Sequence, residues 1–378
     1  GAITGSSTIN GVGINVIETG SILISNDGGT GTISSAVRNT GFGFEVFDDL
    51  TTGDDNTSMG RKALTKLTTG GGNTAVGSGS LTAHTTGDSN TAFGVSSLAA
   101  NTTASNNTAV GSSALLSNTT GHSNVAVGSL ALDANTTANN NVALGYAAAT
   151  SNTTGGQNTA IGADSFGLNT TGGSNTALGY GALYSNTTAS NNTAVGRNAL
   201  LVNTTGTQNV AVGSFALDAN TTTSDSVAIG YAALSTATIG SNTAVGSESM
   251  QFTTTGANNV GIGLQALRAN TTGGNNVAMG SGAGDAITTG FNNTAIGTDS
   301  LSVMTTQSGN TATGYRAGFN AATSGLTYLG YQAGYNTSTG YDNVAVGYNA
   351  LFTNTTGNEN TAIGYQAMYS NTTGVDNV

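Results

Sequence analysis

The chain repeats one short pattern of apolar and polar positions along most of its length. Pentapeptides of the type NTAVG begin at Asn73 and Asn90 and recur every 17 residues, with two intervals of 16. Residues 39–376 divide into 20 repeats with the consensus N-T/V-A-V/I/L-G-x-x-A-L-x-x-N-T-T-G-x-x. We number the positions of the repeat 1 to 17 from its first asparagine. A fixed period of this length indicates a repeat architecture, in which each repeat packs on its neighbours.

Positions 2 to 5 of the repeat alternate in side-chain character and end in glycine. Position 3 is nearly always Ala, position 4 is almost always a large apolar residue, and position 5 is Gly in all 20 repeats. Alternation with period two predicts a short strand, with the branched apolar residue on one face and the small residue on the other. A glycine required at the strand end indicates positive φ or a backbone approach too close for a Cβ atom.

Position 9 forms a second apolar row, usually Leu, and positions 12 to 15 read NTTG, a composition typical of turns. We predict a repeat core formed by the apolar side chains at positions 4 and 9 together with Gly at position 5. Its representatives are Val76, Gly77, Leu81, Val110, Gly111, Leu115, Ile161, Gly162, Val195, Gly196, Leu200, Ile363 and Gly364. The predicted turn ladder is represented by Asn118, Thr119, Thr120 and Gly121.

These patterns predict an all-β parallel β-solenoid. A helix is excluded by two glycines in most repeats and by β-branched or turn-forming residues elsewhere. Each coil is expected to contain two short strands and two turns, with identical positions stacked about 4.8 Å apart, so that 20 coils extend over roughly 95 Å. Stacked asparagines are then expected to hydrogen-bond to one another along the solenoid axis.

The first 38 residues depart from the repeat. Residues 12–17, 21–25 and 32–37 alternate apolar and polar side chains and are separated by turn-forming residues, which predicts a β-meander. Terminal coils of solenoids need a cover, so we divide the chain into an N-terminal β cap or connector, residues 1–38, and a repeat array, residues 39–378. An attachment module or an inter-subunit joint is the functional alternative for the first segment.

Composition narrows the classes of function. The 378 residues include no Cys, Pro or Trp, 7% are charged, and the formal net charge is −11. Absence of cysteine excludes disulfides and thiolate chemistry, while the negative charge opposes binding to nucleic acid or anionic lipid. No apolar run is long enough to span a membrane, and the chain starts at Gly1 within a polar segment. We expect a soluble mature protein or a fragment of one.

Few residues carry the potential for chemistry. His84 and His122 fall in predicted turns without a second ligand at a metal-binding spacing. Four aspartates between Asp48 and Asp55 form one cluster, for which calcium binding or an acid pair is the alternative to a solvated end of the array. We therefore expect no catalytic residue, no cofactor and no metal site, and no enzymatic activity. The NTT strings are formal glycosylation sequons, which we interpret as a turn ladder, with glycans left open.

The small amount of apolar side chain in one coil favours association of several chains. Each repeat offers only about two large apolar side chains, which is little against the conformational entropy lost by 17 ordered residues. Association through the small-residue face would bury the Ala and Gly rows against neighbouring chains and share one core. A homotrimer is our expectation, and a narrow monomeric solenoid with tightly packed walls is the alternative.

The motif letters resemble a known family. NTAVG, SVAIG at Ser226–Gly230 and NTAIG at Asn293–Gly297, each followed by small residues, are similar to the head repeats of trimeric autotransporter adhesins. That resemblance implies a left-handed parallel β-roll with three chains around one axis. The longer form GYNALFTNTTG at Gly347–Gly357 also resembles arrays in phage tail-fibre-like and bacterial surface proteins.

We accordingly expect an extracellular, fibre-forming structural or adhesive protein that presents a repetitive binding surface from a cell or virion surface. A host-surface or glycan receptor would be bound multivalently. A phage tail-fibre shaft and a filament formed by axial self-association are alternatives. A monomeric ice-binding solenoid is favoured less, since adjacent threonines in NTT point to opposite faces of a strand.

Overall fold

The computed structural model describes residues 5–9, 12–17, 21–25 and 35–378 of the chain. It divides into two compact units, Gly1–Asn191 and Asn192–Val378, which are described separately below. The described residues form strands and turns and contain no helix. Within those ranges, therefore, no helix is long and apolar enough to cross a membrane.

Strands β1 to β12 lie in the first unit. Their bounds are β1 Gly5–Ile9, β2 Val12–Ile17, β3 Ser21–Ser25, β4 Thr40–Phe42, β5 Thr57–Met59, β6 Thr74–Val76, β7 Thr91–Phe93, β8 Thr108–Val110, β9 Val125–Val127, β10 Val142–Leu144, β11 Thr159–Ile161 and β12 Thr176–Leu178.

Strands β13 to β23 lie in the second unit. Their bounds are β13 Thr193–Val195, β14 Val210–Val212, β15 Val227–Ile229, β16 Thr243–Val245, β17 Val260–Ile262, β18 Val277–Met279, β19 Thr294–Ile296, β20 Thr311–Thr313, β21 Thr327–Leu329, β22 Val344–Val346 and β23 Thr361–Ile363.

Within each unit, successive coils stack in parallel and in register. Strand β8 pairs with β9 so that Ala109 lies opposite Ala126, one repeat further along the chain. Coil-to-coil hydrogen bonding continues outside the strands, because the Leu115 amide donates to the Ala131 carbonyl at 3.0 Å. The predicted all-β parallel solenoid with a repeat of about 17 residues is confirmed, with 19 to 20 coils.

Each coil contains one three-residue strand, so the prediction of two short strands in each coil is wrong. Positions 7, 9 and 17 are left-handed, as at Ser113 (φ 57°), Leu115 (φ 52°) and Asn106 (φ 62°). A residue in this conformation reverses the chain direction and ends an extended segment. The coil therefore turns through most of positions 6 to 17, while its amides still pair with neighbouring coils.

The glycine at position 5 is required for both of the expected reasons. Gly111 has φ 135°, and a Cβ atom added there would lie 2.5 Å from the Gly128 carbonyl oxygen of the next coil. Gly162 and Gly196 have φ 126° and 131°, with comparable contacts to the following glycine. Backbones of successive coils thus approach too closely at this corner for any side chain.

The core differs from the prediction in which strand face it uses. The alanines at position 3 and the leucines at position 9 point inward and are fully buried, as at Ala109, Leu81, Leu115 and Leu200. The position 4 side chains instead point outward. Val76, Val110, Ile161 and Val195 are partly exposed and Ile363 is 69% exposed.

This orientation also overturns the expected route of association. The Ala row is enclosed within its own chain, so it is not available to a neighbouring chain. One coil closes around a small core because inward Ala, Leu and Asn side chains fill a narrow interior. The expectation that several chains share one core through their small-residue faces is therefore wrong.

Two rows of asparagine complete the interior. At position 1, Asn107 donates from Nδ2 to the Gly121 carbonyl at 2.9 Å, and its Oδ1 accepts the backbone N–H of Asn124 at 3.0 Å. Position 12 carries a second buried row that includes Asn118. Asn107 thus bonds both its own coil and the next, and Asn118 does the same by accepting Nδ2 of Asn135, which confirms the predicted hydrogen bonding along the axis.

The N-terminal strands form part of the predicted meander. Strands β1, β2 and β3 pair antiparallel in sequence order, and β3 then pairs in parallel with β4 of the first coil. Strand β1 was not predicted. Of the third predicted segment, residues 32–34 lie outside the described residues, and residues 35–37 are not in a strand.

Candidate interaction surfaces

In each unit, the outward face of the short strands, positions 2 and 4, presents a row of apolar side chains, and we call it the strand face. Position 4 is apolar in 19 of the 20 repeats, with Thr313 as the exception. Several of these side chains are largely exposed, including Phe93 at 55% and Leu144 at 45%. Position 2 beside it is Thr or Val. Because monomeric proteins rarely expose a long contiguous apolar patch, this face has the character of a contact surface.

The predicted turn ladder is only partly on the surface. Asn118 is fully buried, donates to the Gly121 carbonyl at 2.8 Å and accepts Nδ2 of Asn135 at 2.8 Å. Thr119 is part-buried and its hydroxyl donates to the Thr136 carbonyl, while Thr120 is exposed.

The burial of Asn118 determines whether the NTT sequons can carry glycans. The Nδ2 atom that a glycan would modify is inside the core at Asn118 and is already hydrogen-bonded. A glycan there would require the side chain to leave the interior and would abandon a buried carbonyl, so the sequon asparagine is a structural residue in this fold.

His84 occupies position 12, inside the core, where most coils have asparagine. Its Nε2 lies 2.8 Å from the Gly87 carbonyl, and its Nδ1 lies 3.3 Å from Nδ2 of Asn101. A neutral imidazole that donates from Nε2 and accepts at Nδ1 satisfies both contacts. Burial is the main cause that lowers the pKa of His84 below its ordinary value.

The remaining chemical candidates lie apart. His122 is exposed on the side of the coil formed by positions 13 to 17, which we call the turn side. In the aspartate cluster, Asp54 accepts the Val37 amide at 2.8 Å, and Asp55 pairs with Arg38, whose hydrogen bond lowers the pKa of that carboxyl. Among residues 5–9, 12–17, 21–25 and 35–378, no three His, Asp or Glu side chains are grouped to hold a metal ion.

A polar groove lies on the turn side of the first unit, and we call it the turn groove. It has a volume of about 320 Å³ and is open to solvent. Its walls are made entirely of neutral residues from three neighbouring coils: Thr137, Ala138, Asn139, Asn140, Thr154, Gly156, Gln157, Gly173 and Ser174.

Two ladders of stacked aromatic rings lie at positions 6 and 10 of the second unit. Their centroids are 4.9 to 5.5 Å apart along the stacks, and the guanidinium of Arg316 lies over the first ring of each ladder. Most ring faces are thereby covered by other rings. The ladders comprise Tyr315, Tyr331, Tyr348 and Tyr365, and Phe319, Tyr335, Phe352 and Tyr369.

Comparison with known proteins does not assign the chain to a family. No protein-family model matches the chain, and none of the curated proteins matches it significantly.

Proposed function

We propose that the chain is a non-catalytic, extracellular structural and adhesive protein. Its copies associate side by side through the strand face and present the turn side to a receptor from a cell or virion surface. The observation that supports this most strongly is the retention of apolar residues at position 4, an outward position, in 19 of 20 repeats.

The core of one chain does not account for that retention. Ala at position 3, Leu at position 9 and the two asparagine rows fill the interior, whereas the partly exposed side chains at position 4 lie outside it. Apolar side chains left partly or largely exposed in 19 of 20 coils would be a solubility burden without a partner. Complete burial of a fully exposed side chain contributes about 1.5–3 kcal/mol, and these partly covered side chains would gain a fraction of that against a partner.

A second copy of the chain is the partner that fits this face best. Its strand face has the same spacing between coils, so that contacts made at one coil recur at the next. Repeated weak contacts of this kind add up to stable association. The resemblance to adhesin head repeats supports a closed assembly of three copies and a left-handed coil.

The test is the solution mass of the chain beside a variant with an interrupted strand face. Leu144→Thr, Ile161→Thr and Leu178→Thr together replace three consecutive position 4 residues with the type found at Thr313. We expect light scattering to give about three chains for the parent and a lower mass for the variant, with unchanged circular dichroism. Thr120→Ser combined with Thr137→Ser, on the turn side, is the matched control. A parent mass of 36.9 kDa, one chain, would refute lateral association.

Ice binding is a second candidate, supported by one observation. Thr or Val at position 2 and apolar residues at position 4 share one outward face, so hydroxyl and methyl groups recur in rows. The NTT strings add no hydroxyl to this face, because position 13 hydroxyls such as that of Thr119 bond to the backbone and position 14 side chains such as that of Thr120 are exposed on the turn side. Thermal hysteresis in solutions of the single chain would support this candidate against the first.

A further inference from the structure

We propose that the turn groove is a binding site for a neutral, hydroxyl-rich saccharide. The inference rests on the proposed adhesive function and gives it a ligand class. Its evidence lies at position 16, where most coils carry a side chain and where glycine occupies two successive coils, at Gly156 and Gly173.

In several coils, the side chain at position 16 caps the backbone of the coil before it. Asn139 accepts the His122 amide through Oδ1 at 2.7 Å, and Ser190 accepts the Gly173 amide through Oγ at 3.0 Å. Ser105 does the same for Asp88 at 2.9 Å. A polar side chain at this position thus supplies an oxygen to the N–H group one coil earlier.

Gly156 and Gly173 leave two successive caps out of this row. The N–H groups of Asn139 and Gly156 consequently have no hydrogen-bond partner among the described residues. A Cβ atom added at Gly156 would lie 3.8 Å from the Asn139 nitrogen, and one at Gly173 would lie 3.8 Å from the Gly156 nitrogen. A ligand oxygen in the groove can take the place of each absent side-chain oxygen.

The walls of the groove select the ligand class. Asn140, Gln157 and Ser174 offer amides and a hydroxyl, and none of the lining side chains is charged or aromatic. Without a cation, an anionic group would gain no charge pairing, and the protein's net charge of −11 disfavours it further. The volume of about 320 Å³ lies at the lower end of the range for ligand pockets. A sugar ring, with hydroxyls that both donate and accept, matches these walls.

The decisive variant restores the two missing caps. Gly156→Ser with Gly173→Ser puts into the groove the residue type that Ser105 and Ser190 place at the same position. Neither glycine has a positive φ, and an added Cβ would lie 3.0 to 3.1 Å from a carbonyl oxygen of the preceding coil, a close contact that Gly274 shares. Gly274→Ser makes the same change at position 16 of a coil outside the groove and is the matched control. Gln157→Ala is a second variant, which removes one lining side chain of the turn groove instead of filling the groove.

The probe is an array of immobilised neutral oligosaccharides of hexoses, N-acetylhexosamines and deoxyhexoses. We expect the parent and Gly274→Ser to bind the same members. Binding by the double serine variant should fall by about tenfold or more, because the ligand loses one or two hydrogen bonds and the serine side chains occupy part of the groove. Gln157→Ala should also weaken binding.

Absence of binding by the parent, or equal binding by the parent and the double variant, would overturn the assignment. The solution mass does not depend on the groove, so either result leaves the lateral association separately testable. Equal or higher thermal stability of the double variant would show that any loss of binding is not a loss of fold.

Discussion

At the residue scale, the protein depends on side chains that act between coils. Asn107 illustrates this, because its amide closes its own coil at Gly121 and bonds to the asparagines before and after it. A buried amide has to satisfy several donors and acceptors at once, and the stack of identical coils provides them. Asparagine is therefore specified at these positions by geometry that repeats.

Gly111→Ala tests the glycine corner. Alanine there requires an unfavourable positive φ and would also overlap the carbonyl of Gly128. Gly364→Ala is the matched control, because its φ is 127° and nothing lies within 4 Å of an added Cβ. In chemical unfolding, the control should lose about 1–3 kcal/mol and Gly111→Ala a further 1–3 kcal/mol or more. Equal losses would show that close approach of the backbones is unimportant.

His84 predicts a dependence of stability on pH. Its pKa is lowered in the folded protein, so the unfolded chain binds the proton more readily. The stability it contributes is full above its ordinary pKa of 6.5 and is lost as the pH falls through the lower folded value.

His84→Asn inserts the common residue of position 12 and should remove this component of acid sensitivity. His122→Asn, at the exposed histidine, should leave it in place. The measurement is the thermal midpoint of each protein between neutral and mildly acidic pH. Parallel curves for the parent and His84→Asn would contradict the neutral buried imidazole.

At the scale of the coil, an exception shows how the interior is filled. Gly318 and Gly334 replace the leucine of position 9 in two adjacent coils, and the ring of Tyr328, at position 3, occupies the space. Tyr328 is fully buried, and its hydroxyl donates to Thr337 Oγ1 at 2.8 Å. One large side chain thus compensates for two absent ones.

A double-mutant cycle tests this compensation. Gly334→Leu alone should be strongly destabilising, because its Cβ would overlap the Cε2, Cζ and Cδ2 atoms of the Tyr328 ring. Tyr328→Ala alone should cost about 3–5 kcal/mol by leaving a cavity. Together they restore the common Ala and Leu, and the double variant should be more stable than the sum of the single effects by about 1–3 kcal/mol. If the losses in free energy of unfolding were additive in the double variant, the proposed compensation by Tyr328 would be contradicted.

The turns of the coil mark the limit of sequence-based prediction. The strand at positions 2 to 4, the glycine corner and the stacked asparagines follow from residue type and period. The left-handed residues at positions 7 and 9 do not, because Ser113 and Leu115 have no preference for that conformation. The available signal was occasional glycine at the same positions, as at Gly79 and Gly284, both with positive φ.

At the scale of the whole molecule, the orientation of the strand faces governs the functional account. Alternation shows that positions 3 and 4 face opposite ways, and it does not show which one faces inward. Side-chain size held the answer: position 4 ranges from Val76 to Phe93, whereas position 3 is Ala in 16 of the 20 repeats. A packed interior tolerates little variation in volume, and an outer face tolerates much. The turn groove was beyond sequence reasoning, because it depends on contacts between coils.

The central claim is that position 3 belongs to the chain's own core and position 4 to a surface that contacts another copy. The chain contains no cysteine, so single thiols can be introduced as unambiguous reporters. Ala109→Cys and Val110→Cys place them on adjacent residues of β8, and the rate of thiol labelling is measured across protein concentrations. We predict that Cys at 109 stays protected throughout, whereas Cys at 110 reacts rapidly when dilute and more slowly as copies associate. Equal labelling rates at the two positions in dilute protein would contradict the account.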